Sequence, residues 1–334
     1  MVISRRIFSF GVASATVLSI PGSRRPYAQD NKMRLGTPFL PSHPGASRMV
    51  EACDAIRAET NGIIQVFPGN QLGGESEMQS QLRQGAIEFM TTSGVVLQTL
   101  VPTAGVNGLP FVFNIYEQVW PAMDGDLGAF IRAAIDKAGL HTFPKCIDNG
   151  FRNVITSVRP IEKPADLKGL KIRVPVTPLW VSTFRAFGAS PTTMNLTELY
   201  SALQTKVVDG QENPLVQIDT YRLLEVQKDC SLTEHVWDGN WLVANAWKWR
   251  SLPKDAQEII SRNFDAAAVK QRADVLKLNA ELEASLQQKG MTMNRPEKSP
   301  FREVLQQSGF YAEWKKKYCP DAWAKLEQYT GQLT

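Results

Sequence analysis

The chain has 334 residues, and its 43% hydrophobic, 21% charged and 9% aromatic content excludes fibrous, low-complexity and wholly disordered proteins. A single core stops growing at about 250–300 residues, so this length favours two lobes. The formal net charge of +4 comes from four arginines within residues 1–28, so the rest of the chain is neutral and is not expected to bind nucleic acid or an anionic membrane surface.

Residues 1–28 are predicted to be a twin-arginine-type signal peptide. Arg5 and Arg6 supply a basic start. An apolar stretch over residues 7–20 follows, which is too short to span a membrane, and Pro21 breaks it. The segment SRRIFSF resembles the signal that carries folded proteins across a bacterial inner membrane. A disordered basic tail is the alternative, whereas an export signal predicts a mature protein in the periplasm.

The first half of the mature chain alternates strands and helices, as parallel sheets with crossover helices do. A strand over 32–38 precedes a helix that begins at about Gly45 and stops at Asn61. A strand over 63–67, a helix over 75–83 and a strand in IEFMTT complete a βαβαβ order.

Residues 89–116 contain no charged side chain. A membrane helix is excluded because prolines, such as Pro102 and Pro110, and several polar side chains interrupt the stretch. We expect buried strands here, with connections that cross the protein interior where two lobes could meet.

The alternating order recurs in the second half. Strands are predicted in FRNVIT, LKIRVP, SPTTM and VVDGQENP, with helices around 179–187 and over 197–204. Residues 254–289 then contain neither glycine nor proline and carry a helical apolar stripe. One helix over this segment would be about 54 Å long at about 1.5 Å per residue and could brace both lobes. Two shorter helices that meet at a kink are the alternative.

The cysteines and histidines give no metal-binding pattern, and no metal or cofactor is expected. The four cysteines lie far apart in the sequence, so they are interpreted as buried apolar residues or as disulfide partners: Cys53, Cys146, Cys230 and Cys319. The three histidines are interpreted as structural or surface residues: His43, His141 and His235. Nucleotide-binding, hydrolase and metalloprotease motifs are absent from the sequence, and no catalytic residue is predicted. An enzyme that uses carboxylates alone stays open.

Arg173 is the residue that most strongly suggests a ligand site. Pro175 ends its predicted strand, so Arg173 lies at the carboxyl end, where open α/β sheets place ligands. A guanidinium can hold a carboxylate with two parallel hydrogen bonds, which a lysine cannot. Arg152, at the start of the preceding strand, is a second candidate. Either arginine could instead be an ion-paired or surface residue.

Five segments, in order and spacing, resemble motifs of DctP-like solute-binding proteins of tripartite ATP-independent periplasmic (TRAP) transporters. They are FPGNQLGGESEMQSQLRQGAIEF, NGFRN, PADLKGLKIRVP, GASPTTM and LYSALQTKVVDGQENP. The resemblance extends over about 32–332. It implies an α/β, two-lobed periplasmic binding protein fold with a cleft between the lobes and a long bracing helix. It also implies a receptor that delivers a small organic acid to a membrane permease driven by an ion gradient.

The resemblance assigns roles to three polar residues. Arg173 is similar to the family arginine that clamps the substrate carboxylate, Arg152 to a second pocket arginine, and Asn213 to an asparagine that helps hold the carboxylate. Without the resemblance, Asn213 could equally belong to a turn in DGQENP. Ser93 and Leu196 replace an acid and an aromatic residue of the sialic-acid-binding branch, so sialic acid is not expected.

Ligand specificity is expected from other side chains on the cleft wall, near strand ends or in loops. The candidates are Thr37, Phe39, Ser93, Trp180, Trp237, Asn240 and Trp241. Each tryptophan could instead belong to the core. Two tryptophans in the cleft would favour an aromatic or aliphatic carboxylate over a sugar acid, because hydroxyl groups need polar partners.

The predicted lobes are discontinuous in sequence. Lobe I comprises 29–149 plus about 238–277, and lobe II comprises 150–237 plus about 278–334. We expect a ligand to close the lobes about a hinge and to bend or tilt the long helix.

A receptor that acts as a monomer is the principal functional prediction. The alternatives are an exported hydrolase or lyase acting on a carboxylate substrate and a scaffold that binds no small molecule. The enzyme interpretation is disfavoured, because the sequence contains no nucleophile or base motif. The identity of the organic acid does not follow from the sequence.

Overall fold

The computed structural model describes residues 32–333, and this part of the chain contains ten strands and thirteen α-helices. The strands are β1 (Lys32–Gly36), β2 (Ile63–Phe67), β3 (Phe89–Ser93), β4 (Leu140–Thr142), β5 (Ile147–Thr156), β6 (Lys171–Val174), β7 (Ser190–Thr193), β8 (Gly210–Asn213), β9 (Asp229–Asn245) and β10 (Thr292–Asn294). The helices are α1 (Pro44–Thr60), α2 (Glu75–Gln84), α3 (Gly94–Leu97), α4 (Tyr116–Asp124), α5 (Asp126–Lys137), α6 (Pro178–Ala186), α7 (Leu196–Gln204), α8 (Leu215–Thr220), α9 (Ala246–Ser251), α10 (Lys254–Gln288), α11 (Ser299–Gln307), α12 (Phe310–Lys317) and α13 (Pro320–Thr330).

The strands form one mixed sheet in the order β2-β1-β3-β9-β5-β8-β6-β7. At one end β1 pairs in parallel with β2 and β3, and we call these three strands the first parallel unit. At the other end β6 pairs in parallel with β7 and β8, and these form the second parallel unit. The antiparallel strands β5 and β9 lie between the units and join them. The first predicted half is therefore present as a parallel unit. Three strands of the second half are parallel as well, whereas its first predicted strand, FRNVIT in β5, is antiparallel to its neighbours.

The strand β9 was not predicted, and it is the longest in the sheet. Its 17 residues extend about 56 Å at about 3.3 Å per residue, far enough to contact both parallel units. The expectation that Trp237, Asn240 and Trp241 lie near strand ends or in loops was wrong, because all three lie inside β9. Nearly every residue of β9 is buried, so its two faces do not alternate in polarity and the usual strand signal is missing.

The predicted helix ends agree closely with the structure. The helix α1 ends at Asn61, which has a left-handed backbone (φ 56°) and donates its N–H to the carbonyl of Arg57. The long helix α10 is continuous over 35 residues, as predicted. None of the helices within residues 32–333 is both long and apolar enough to cross a membrane.

The uncharged segment 89–116 differs from its prediction. Only its first five residues form a strand, β3, and α3 and a 3-10 helix over Pro102–Gly108 follow. The expectation of several strands was therefore wrong, although most of the segment is buried. Gly108 explains the compact turns, because a side chain there would collide with Val95 in α3.

The helix α10 packs against both ends of the sheet. In its first half, Ile260 and Phe264 share a core with residues of α1 and β1. In its second half, Val275 and Leu282 share another core with α7 and α8. Farther along the chain, α11 packs on α6, whereas α13 packs on α4 and α5, which belong to the predicted lobe I. The C-terminal segment thus contacts both predicted lobes.

All four cysteines are free thiols. Cys53, Cys146 and Cys230 are buried and belong to apolar cores, whereas Cys319 is exposed. The structure therefore favours the apolar interpretation for the three buried residues and shows no disulfide among them.

Candidate ligand-binding site

A cavity opens between the two parallel units, at the ends of their strands. It contains about 540 Å³ of space free of protein atoms, including the part open to solvent. Six of the candidate site residues from the sequence line it: Phe39, Ser93, Arg152, Arg173, Asn213 and Asn240. Leu196, at the position where the sialic-acid-binding branch has an aromatic residue, lines it as well.

The rim of the cavity is closed by contacts between the two sides. The Tyr221 hydroxyl donates a hydrogen bond to the carbonyl of Pro38. The Gln98 amide donates to the Thr177 hydroxyl at 2.6 Å. These bonds join segments that follow different strands of the sheet, so they hold the two sides together next to the cavity.

Arg173 is a buried cation that hydrogen-bonds to no carboxylate of the described residues. It is 2% exposed, and its Nε and Nη2 donate to the carbonyl oxygen of Met194 at 3.0 and 2.7 Å. Among residues 32–333 it forms no salt bridge. Burial lowers the pKa of Arg173 to about 10, so the guanidinium is still charged at neutral pH. A buried charge of this kind is costly unless an anion pairs with it, and a ligand carboxylate fits that need.

Arg152 has a different environment, because acidic side chains already surround it. Its Nε donates to Glu212, its Nη2 donates to Glu212 Oε1 at 2.9 Å, and its Nη1 donates to Asp238 Oδ2 at 3.0 Å. Its guanidinium also lies 4.7 Å from the ring centre of Trp180. Burial disfavours the charge, but Glu212 and Asp238 outweigh this effect and raise the pKa of Arg152. Arg152 thus holds Glu212 and Asp238 in place. It has fewer N–H groups free to bind a ligand than Arg173 has.

The side chain of Asn213 belongs to the same network. It ends β8 and accepts a hydrogen bond from Arg152 Nη2 at 2.9 Å, and its Nδ2 donates to Gln211. Asn213 is therefore held in place by protein contacts while it lines the cavity.

The three candidate tryptophans are buried and none of them lines the cavity. Trp180 donates its Nε1–H to the carbonyl of Gly108 at 2.9 Å, and Trp237 donates to Asp148 Oδ1 at 2.9 Å. Trp241 is also fully buried. Thr37 is buried away from the cavity as well and accepts a hydrogen bond from the Thr91 hydroxyl at 2.6 Å. The structure thus places all four side chains behind the wall.

Two acidic residues of the cavity were missed in the sequence. Glu75 lies in the recognised segment GGESEM but was interpreted only as part of a helix, and Asp238 lies in the unpredicted β9. Asp238 accepts hydrogen bonds from the Ser93 hydroxyl at 2.6 Å and from Asn149 Nδ2 at 2.8 Å. Burial raises the pKa of Asp238 despite the opposing effect of Arg152. Asp238 directly follows the apolar pair Val236 and Trp237, and an acid at that place is the signal that could have found it.

The histidines hold structural positions. His43 caps α1, where its Nδ1 accepts a hydrogen bond from the backbone N–H of Gly45 at 2.9 Å. His235 is buried with its Nε2 3.5 Å from Glu212, and burial lowers its pKa. No cluster of three or more metal-ligating His, Cys, Asp or Glu side chains occurs in the described part of the chain.

A model of one protein family matches most of the chain. The DctP family model, described as bacterial extracellular solute-binding protein, family 7, matches residues 39–317. The chain belongs to this family. A solute-binding protein of Roseobacter denitrificans is 33% identical to this DctP-family chain over 285 residues, which are 84% of this chain and 87% of the relative.

Solved structures of TRAP periplasmic solute-binding proteins share the fold of this DctP-family member. One from Polaromonas sp. JS666, bound to D-erythronate, has a TM-score of 0.85 and 28% identity, and the match covers 90% of this chain and 99% of that chain. One from Sulfitobacter sp. NAS-14.1, with bound β-D-galacturonate, has a TM-score of 0.85 and 27% identity over 90% of this chain and 100% of that chain. The predicted family and the two-lobed α/β fold class are confirmed.

Proposed function

We propose that the protein is an extracytoplasmic solute receptor that binds a small organic acid between its lobes and delivers it to the permease of a TRAP transporter. The single observation that carries the assignment of the ligand class is Arg173, a buried guanidinium in the cavity that pairs with no carboxylate in the described part of the chain. The ligand carboxylate would supply the missing negative charge. Relatives with bound D-erythronate and β-D-galacturonate support this class, because both compounds are carboxylates.

Ligand binding without catalysis is part of this proposal. The acids of the cavity wall, Glu75 and Asp238, accept hydrogen bonds from protein groups that include the hydroxyls of Thr92 and Ser93. Among the described residues no histidine lines the cavity to complete a hydrolase triad with either hydroxyl, so the exported hydrolase or lyase has little support from the geometry.

A thermal-shift screen against carboxylic acids, followed by product analysis, tests the function. Saturable binding at a concentration 100-fold above the dissociation constant should stabilise the protein by about 2.7 kcal/mol. The recovered acid should be chemically unchanged after prolonged incubation. Conversion of the acid would support the enzyme instead, and a melting temperature indifferent to every acid would contradict the receptor.

Export to the periplasm by the twin-arginine route is proposed for the precursor. The support is the basic start with Arg5 and Arg6 and the apolar stretch after it, which lie outside the described residues. Periplasmic relatives, such as the 2,3-diketo-L-gulonate-binding periplasmic protein of Escherichia coli, agree with this location. We also propose that the mature receptor acts as a monomer and binds no nucleic acid, since its charge outside residues 1–28 is balanced.

The predicted lobe boundaries are kept as a proposal. The register of β5 against β9 shifts between Asp148 and Gly150, close to the predicted crossings at 149/150 and 237/238. Strands that shift register bend and twist locally, which suits a hinge.

A further inference from the structure

Glu75 offers one unused carboxylate oxygen to the cavity. It is the first residue of α2, and its Oε1 accepts hydrogen bonds from the Thr92 hydroxyl at 2.7 Å and from the backbone N–H of Ser93 at 2.6 Å. Within residues 32–333 no donor bonds to its Oε2. Residues of β3 thus bind one carboxylate oxygen of Glu75. Because Glu75 lines the same cavity as Arg173, the other oxygen is left to accept a hydrogen bond from a bound molecule.

The charges around Glu75 come from several elements of the fold. Asp238 in β9 and Arg173 in β6 act on it most strongly among the ionisable groups, and Tyr221, which follows α8, is also close enough to interact. Arg152 is already paired with Glu212 and Asp238. When Glu75 is ionised, three carboxylates therefore face two guanidinium groups before any ligand enters. One ligand carboxylate can pair with Arg173. A second ligand carboxylate would be repelled, because the negative charges of the site outnumber the positive ones.

The neutral part of the wall favours a hydroxylated ligand. Amide and hydroxyl side chains from β5, β9, the helices α2 and α8 and nearby loops line the cavity, among them Asn70, Ser76, Asn149, Asn195, Gln217 and Asn240. Hydroxyl groups of a ligand need such partners when they leave water. The tryptophans that would have favoured an aromatic acid lie behind the wall.

We propose that Glu75 determines specificity by accepting a hydrogen bond from a hydroxyl group of a hydroxy monocarboxylic acid and by repelling a second carboxylate at that place. This inference rests on the proposed function, because it assumes that the first carboxylate binds Arg173. The ligand class is then a monocarboxylate with hydroxyl groups along its chain, and dicarboxylates of the same skeleton are excluded.

The protonation state of Glu75 gives a second, independent test of this discrimination between monocarboxylates and dicarboxylates. Burial raises the pKa of Glu75 to about 7, against the opposing hydrogen bonds from Thr92 and Ser93. At pH 8 the side chain is mostly ionised and repels a second carboxylate, whereas at pH 6 it is mostly protonated and can donate to one. Ordinary carboxylic acid probes stay ionised across this range, because they titrate near pH 4.

Calorimetry with two matched pairs of acids tests the proposal. D-Erythronate and meso-tartrate share a skeleton and differ by a terminal hydroxymethyl or carboxylate group, and D-galacturonate and galactarate form a second pair. The variant Glu75→Gln keeps an amide oxygen for Thr92 and Ser93 and removes the charge, so we expect it to fold. Glu258→Gln, on the exposed face of α10, is the matched control.

At pH 8 the wild-type protein should bind the monocarboxylate at least about tenfold more tightly than its dicarboxylate partner in at least one pair. Glu75→Gln should reduce that ratio at least about fivefold, and Glu258→Gln should leave it unchanged. Lowering the pH to 6 should reduce the ratio for the wild type but not for Glu75→Gln. Thermal melting checks that each variant is folded.

The outcomes separate this inference from the proposed function. Equal affinities within both pairs, or a ratio that Glu75→Gln leaves intact, would overturn the role of Glu75 while binding itself supports the receptor. If none of the four acids binds the wild type, the hydroxy-acid class is wrong, and the broader acid screen still decides whether the protein is a receptor.

Discussion

At the residue scale, the two cavity arginines show why the same residue type has two roles in one site. Arg152 is paired with acids from β8 and β9, whereas within the described residues Arg173 hydrogen-bonds only to the backbone carbonyl of Met194. The first arrangement stabilises the fold, and the second leaves binding capacity for a ligand. Sequence motifs indicated both residues, but their partners come from distant parts of the chain and could not be inferred from spacing.

Replacing Glu212 by glutamine should destabilise the protein. Glu212 is fully buried between Arg152 and His235, and loss of one partner from a buried ion pair costs about 3–5 kcal/mol. We expect the lower end of this range, because Asp238 still pairs with Arg152. Urea unfolding at pH 7 would measure the difference. Glu225→Gln, which breaks the surface pair with Arg222, should cost no more than about 1 kcal/mol.

The ion pair of Glu212 and Arg152 also makes the stability of the protein depend on pH. Burial opposes the charge of Glu212, but Arg152 and His235 outweigh it and lower the pKa of Glu212. The stabilisation is therefore complete above the carboxyl's unfolded pKa of about 4.3 and is lost as the pH falls through the folded value. Equal unfolding free energies of wild type and Glu212→Gln at pH 7 would contradict this account of the buried pair.

At the element scale, the parallel strands and their helices could be predicted, whereas the antiparallel connection could not. Strands such as β2 and β6 have clear turn signals and amphipathic helices around them. In β9 almost every residue is buried on both faces, so neither strand periodicity nor a bounding turn marked it. Asp238 and the true positions of the tryptophans were missed for this reason, since their neighbours in space depend on the register of β9.

The bulge at Gly150 should be sensitive to a side chain. Gly150 has φ 101°, and a methyl group there would lie 3.2 Å from the Asn279 amide of α10. Gly150→Ala should lower the free energy of unfolding by about 1–3 kcal/mol, because both strain and a tight contact arise. Gly139 has φ 85° and open space around it, so Gly139→Ala isolates the cost of the backbone conformation. Equal losses in the two variants would show that the contact between β5 and α10 is unimportant.

At the scale of the whole molecule, the closed rim and the shared long helix suggest coupled motion. The contacts of Tyr221 with Pro38 and of Gln98 with Thr177 bridge the two sides of the cleft, so its opening must break them. Since α10 packs against both ends of the sheet, a change in cleft angle must bend or tilt it. A ligand that contacts both sides has higher affinity for the closed state and shifts the population toward it.

Small-angle X-ray scattering should therefore detect closure. We expect the radius of gyration to fall when an acid found in the thermal-shift screen saturates the mature protein. Replacing Tyr221 by phenylalanine removes one rim bond and should weaken binding without changing the radius of the saturated state. An unchanged radius together with unchanged tryptophan fluorescence on saturation would indicate a rigid receptor.

The central claim is that a ligand carboxylate pairs with Arg173, and calorimetry of Arg173→Lys tests it most directly. The lysine keeps the charge but loses the planar fork, so affinity for the best acid of the screen should fall by at least about 2 kcal/mol, roughly 30-fold. The exposed Arg185→Lys in α6 should bind like the wild type. Wild-type affinity in a folded Arg173→Lys variant would contradict the claim and remove Arg173 from the binding site.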